Sequence, residues 1–177
     1  MSLLKTVAVN EADAKVKNIY EEINAAFGSI PNAFQFFSIE PKILEFQWNN
    51  AKDILSMAKE NQQYYLLLEY IVSDDNKCDY CISLLKSMLI NMFGMTNEQI
   101  LEVKKDPSSA PLSKANIDLL LFTLKALKDS ESVDASDIKT LENIGFTQKE
   151  IFNSVRTAGQ IFMYNILFRT FKVEKDF

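Results

Sequence analysis

Four glycines and four prolines in 177 residues set the strongest limit on what this chain can fold into. A sheet protein of this length needs many tight turns, and tight turns draw on those two residues. So few interruptions leave long unbroken stretches, which favours helices. Apolar residues make up 47% and charged residues 24%, the proportions of a globular protein with a real core. The expectation is an all-α, single-domain bundle of eight or nine helices over residues 1–177, with 105–112 as its one linker-like stretch.

The breakers cut the chain into helix-sized pieces. Residues 11–27 carry Val16, Ile19, Tyr20, Ile23 and Phe27 at helical spacing, with Gly28 placed to cap the end. A short aromatic segment, 33–37, stops before Pro41, and a third helix starts there. Residues 62–73 are apolar on most sides, the pattern of a central helix. Asp74-Asp75-Asn76-Lys77 reads as a polar turn, and a fifth helix opens near Cys78 and ends before Gly94. Thr96-x-x-Gln99 and Thr147-x-x-Glu150 have the form of capping boxes, each introducing a helix. Ser113 can cap another, and a shorter one covers 135–144. The aromatic run Phe162, Tyr164, Phe168 and Phe171 wraps too far round for one buried face, so an interface between subunits is expected there. Met88, Met92 and Met95 are expected to fill gaps near the fifth helix.

Charge and residue usage exclude several kinds of chemistry. The net charge is −5, and the basic residues are scattered, so nucleic-acid binding has no electrostatic footprint. No apolar run approaches the roughly 20 residues needed to span a bilayer. The opening residues lack the apolar stretch of a secretion signal, which makes a cytoplasmic protein the expectation. There is no histidine and there are only two cysteines. A four-ligand Cys/His zinc site and a Ser-His-Asp triad are therefore both out of reach within one chain. Neither a metal nor a cofactor is expected.

The sharpest chemical feature is Cys78-Asp79-Tyr80-Cys81. A three-residue step on a helix sets both thiols on one face, close enough for a reversible disulfide. A helix start also offers unpaired N–H groups and a positive dipole end, which favour thiolate, the species that attacks peroxides and disulfides. On this argument Cys78, nearer the terminus, is the more acidic thiol. The alternative is a pair of buried cysteines serving as small hydrophobes; the spacing at a turn-to-helix boundary argues for redox work. Glu69 stands out as a carboxylate in an otherwise apolar helix. Buried, it would act as a proton acceptor near neutral pH; on the solvent edge of that helix it would do nothing. Asp74, Asp75, Asp79 and Lys86 are the other local charges, with Tyr65 and Tyr80 as hydrogen-bond donors.

The stretch from Tyr70-Ile71-Val72-Ser73 to Asn76-Lys77-Cys78-Asp79-Tyr80-Cys81 resembles the signature of the carboxymuconolactone decarboxylase / alkyl hydroperoxidase D superfamily. Tyr20-Glu21-Glu22, Phe27 to Asn32 and Pro41 resemble its opening. Gly145-Phe146-Thr147, Glu150-Ile151, Phe162 to Asn165 and Arg169 resemble its closing helices. The resemblance implies an all-helical subunit that forms homo-oligomers. It also implies peroxide reduction, or dithiol–disulfide exchange with a reducing partner. In that pattern the second cysteine, Cys81, attacks the peroxide to give a sulfenic acid, and Cys78 closes the disulfide. The family's proton relay uses a Glu twelve residues before the first cysteine and a His four residues after the second. Here those positions hold Leu66 and Leu85, and Phe168 replaces a polar residue often found in the closing helix.

Three readings follow. The first is a redox enzyme using Cys78 and Cys81, with Glu69 in place of the relay. The second is a disulfide-forming sensor with poor turnover, and the third a non-catalytic helical oligomer. Decarboxylation lacks a recognisable acid–base pair.

Overall fold

The computed structural model describes residues 2–176, which form nine α-helices and three short 3-10 turns, with no strand among the described residues. The all-α expectation holds. The chain divides into two compact units, one made of the residues up to Met57 and from Leu167 onward, the other of Ala58–Ile166.

In the first unit, α1 (Ala14–Phe27), α2 (Asn32–Phe37) and α3 (Pro41–Leu55) follow one another closely. Helix α1 starts three residues later than its apolar pattern suggests, because Asp13 accepts the Val16 N–H at 2.9 Å and so fixes the cap. It ends at Gly28, whose φ of 75° is a left-handed value that suits glycine. Val16, Ile19, Tyr20 and Ile23 are buried, as their spacing predicts. Phe27, Phe34 and Trp48 form an aromatic cluster, and Trp48 Nε1 donates to Glu22. Phe168 lies against Phe36 and Phe37, with ring centroids 5.6 and 5.5 Å away, and is buried. This burial takes Phe168 out of the aromatic run expected at an interface. Phe168 is core, Tyr164 and Phe171 are half-buried, and of the four only Phe162 is exposed. An all-round aromatic pattern arises here because different faces of one helix meet different neighbours.

The second unit holds α4 (Lys59–Asp75), α5 (Asp79–Phe93), α6 (Asn97–Lys105), α7 (Lys114–Lys128) and α8 (Ala135–Ile144). Most of α9 (Gln148–Thr170) belongs to it as well. Helix α4 buries Tyr64 to Leu68 and Tyr70 to Ser73, and α5 packs along it. Both capping boxes form. Thr96 and Gln99 exchange bonds at 3.2 and 2.9 Å, and Thr147 and Glu150 at 3.2 and 2.8 Å. Ser113 caps α7 by accepting from the Asn116 N–H. Residues 105–112 lie inside this unit, with Pro107–Ser109 as a 3-10 turn. Tyr64, Thr123 and Ser154 join their hydroxyls in a buried cluster, and Thr123 also donates to the Leu119 carbonyl at 2.8 Å. Burial pushes the Tyr64 phenol up to about 12, so it stays a neutral hydrogen-bonding group.

Candidate functional site

The thiols are placed by the way α4 ends. Asn76 closes the helix, its N–H and its side-chain amide both donating to the Val72 carbonyl. Lys77 then takes a left-handed φ of 55°. Its N–H bonds to the Asp74 carbonyl at 3.0 Å, and the Cys78 N–H bonds to the Ser73 carbonyl at 3.0 Å. These two bonds are the Schellman pattern. Because the reversal is so tight, Cys78 emerges directly as the N-cap residue of α5, folded back over the last turn of α4. Cys81 follows in the first turn of α5, and the two Sγ atoms stand 2.8 Å apart, not joined by a disulfide. The sulfurs therefore face one another, as their spacing predicts.

Both side chains are sealed. Cys78 is 1% and Cys81 2% exposed. The burial foreseen in the small-hydrophobe alternative is therefore present, and any oxidant needs a local opening to reach the sulfurs. Sequence spacing reports which face of a helix a thiol occupies, and says nothing of what is laid over that face.

Their electrostatics are unequal. The Cys81 thiol is pushed well above the ordinary range, first by the hydrogen bond with Cys78, then by burial and by the charge at Cys78. The Cys78 thiol donates to Cys81 Sγ, and Cys78 itself stands at the N-terminus of α5, where unpaired N–H groups and the helix dipole favour an anion.

Two groups on α4 act on Cys81. A hydrogen bond from Ser73 works against the upward shift, and the charge of Glu69 adds to it. Glu69 and Ser73 are one helical turn apart and share a face. Glu69 is half-buried, and desolvation raises its carboxyl to about 7. The structure thus brings Glu69 into the electrostatic environment of the thiols. Tyr65, one turn earlier on the same face, also responds to Glu69 and to Arg156 and Glu150 of α9. Asp74 is engaged elsewhere, in an ion pair with Lys104 at 2.8 Å. Leu66 and Leu85, which hold the relay positions, are both buried. Met95 is buried, and Met88 and Met92 are half-buried on α5.

Sequence reading gave no role to Ser73 or to Asn165. Both are fully buried, and Ser73 Oγ donates to Asn165 Oδ1 at 3.1 Å. Their one local signal is polarity on otherwise apolar helical faces. Among the described residues no group of three or more His, Cys, Asp or Glu side chains could hold a metal ion, and no helix is long and apolar enough to cross a membrane.

No protein-family model and no curated protein matches the chain. Solved structures do. One is described as the alkylhydroperoxidase AhpD core of an uncharacterized peroxidase-related protein from Ralstonia eutropha JMP134. It superposes with a TM-score of 0.82 at 17% identity, over 99% of this chain and 92% of its own. Another, an uncharacterized peroxidase-related protein from Silicibacter sp. TM1040, has a TM-score of 0.79 at 19% identity, over 98% and 91%. At that identity the likeness speaks for architecture, and on it the chain has the AhpD-like fold.

Proposed function

We propose that this chain is a thiol-based oxidoreductase, in which Cys78 and Cys81 pass between dithiol and disulfide while reducing a peroxide. The observation that carries this reading is the 2.8 Å approach of the two sulfurs across the first turn of α5. The peroxidase-related description of proteins sharing the fold supports it.

The Cys78 thiolate attacks one peroxide oxygen, the O–O bond breaks, and the departing alkoxide takes a proton to become an alcohol. Cys78 is then a sulfenic acid. Cys81 gives its proton to Glu69, whose affinity near neutrality suits it to accept. The freed Cys81 sulfur attacks Cys78 Sγ, and hydroxide leaves with a proton as water. An external dithiol, protein or small molecule, reduces the disulfide by exchange. The same reading includes self-association through α9, on which Phe152, Phe162, Met163 and Ile166 are exposed.

A second reading has its own support. Buried sulfurs and leucines at positions 66 and 85 suit a sensor that oxidises once and recovers slowly. One assay separates the two. Peroxide is supplied with dithiothreitol, its consumption is followed, and the loss of two hydrogens in the protein is read by mass. The enzyme reading expects repeated turnover, abolished by Cys78→Ser or Cys81→Ser and lowered at least about tenfold by Glu69→Gln. A disulfide without turnover selects the sensor. No disulfide at all removes both.

A further inference from the structure

Asn165 lies within α9 and is 0% exposed. A buried amide is costly unless its donor and its acceptor are both matched. Here consecutive residues of α4 match them. Asn165 Oδ1 accepts from Ser73 Oγ at 3.1 Å, and its Nδ2 donates to the Val72 carbonyl at 3.4 Å. Ser73 and Val72 are themselves buried, so water does not compete for these bonds. The same two residues carry the reversal that delivers Cys78. The Val72 carbonyl takes the Asn76 N–H at 3.1 Å and the Asn76 side-chain amide at 2.8 Å. The Ser73 carbonyl takes the Cys78 N–H at 3.0 Å.

Locally the reversal is weak. Lys77 holds a left-handed φ of 55°, which a side chain disfavours, and Cys78 gives α5 no side-chain cap bond. We infer that Asn165 is the positioning residue of the dithiol. By gripping residues 72 and 73 from α9 it keeps Cys78 folded back on α4, and so sets how often the reversal parts to admit a reagent to the sulfurs. The inference deepens the redox reading and rests on it for its biological meaning. Asn165 acts on Cys78 through two successive bonds, its own with Ser73 and that of the Ser73 carbonyl with the Cys78 N–H. A leucine at 165 would keep the branched skeleton and grip nothing. Ser73 could then return its hydroxyl to a carbonyl of its own helix, and the Val72 carbonyl would keep Asn76. The substitution therefore removes the brace without leaving a buried polar group stranded.

The test reads access to the thiols without peroxide. Reduced protein is treated at pH 7 with N-ethylmaleimide, which blocks a thiol irreversibly, and the adduct is followed by mass over a series of low urea concentrations. Reaction through a local opening hardly depends on urea, whereas reaction through global unfolding rises steeply with it. Asn165→Leu is expected to raise the urea-independent rate about tenfold or more, and Ser73→Ala, which removes one of the two bonds, about fivefold. Amide exchange at Cys78 is expected to quicken in both. Leu141→Ala opens a cavity under α8, which packs on α7. It lowers global stability and is expected to leave the urea-independent rate at the parent's value. Should Asn165→Leu fail to fold, Ser73→Ala carries the test alone. Labelling at the parent's rate overturns the inference. So does faster labelling that climbs with urea as global unfolding does, which is the mark of a purely structural role, or an equal rise in Leu141→Ala. Failure of the peroxide assay alone would strike the redox reading and leave this measurement intact.

Discussion

A half-buried carboxyl group in an otherwise apolar helix has consequences that can be measured on stability alone. Glu69 is raised from its ordinary 4.5 to about 7 by burial. Between those values the folded chain holds the proton while the unfolded chain has released it. Stability therefore falls as pH rises through that window and levels off above it. Glu69→Gln removes the titration. Urea midpoints of the variant are expected to stay flat from pH 5 to 8 while those of the parent decline. The variant should gain about 1–3 kcal/mol at the alkaline end, with the half-buried position of the side chain favouring the lower figure. On the proposed chemistry the same substitution is expected to slow disulfide closure, and stability and activity moving in opposite directions would mark a group kept for chemistry and not for packing.

At the scale of the element, the α4–α5 reversal is the feature on which the site depends. Lys77 occupies the left-handed position of a Schellman motif without being glycine. Replacing it by glycine relieves the Cβ conflict, and Lys77→Gly should raise stability by about 0.5–1 kcal/mol in chemical denaturation, leaving the thiol geometry unchanged. Elements of this kind divide what can be read from sequence from what cannot. The capping boxes at Thr96 and Thr147 were legible because donor and acceptor lie three residues apart. The span 135–144 was legible by another local signal, since Gly145 closes it. The start of α4 was not. It begins at Lys59 and not at Gln62, behind Ala58, which makes no side-chain cap. The pairing of Ser73 with Asn165 joins residues 92 apart in sequence, beyond any local pattern. Cys78, Cys81 and Glu69 could be singled out because a step of three and an isolated carboxylate are both local signals. Their burial could not be foreseen, because it is decided by what packs over them.

For the whole molecule, the exposed face of α9 is the observation that reaches furthest. Phe152, Phe162, Met163 and Ile166 are all exposed there. Gly159 lies midway between Phe152 and Ile166, and a Cβ added to it meets nothing within 4 Å. The subunit itself thus has no use for a glycine that weakens the helix by about 1 kcal/mol. Two copies crossing antiparallel at Gly159 would set Phe152 of each against Ile166 of the other, a self-complementary two-fold contact. Gly159→Ala is accordingly expected to raise subunit stability by about 0.5–1 kcal/mol while weakening association. Light scattering and a denaturant titration read the two effects separately. An unchanged mass at all concentrations counts against the strip as an interface. The sealing of Cys78 and Cys81 has a kinetic meaning as well. An oxidant that must wait for a closed structure to part can react no faster than the parting occurs. On the proposed chemistry, oxidation is expected to follow dose while peroxide is scarce and to reach a ceiling set by the fold's own breathing when peroxide is abundant, so that the protein would then keep time instead of measuring concentration.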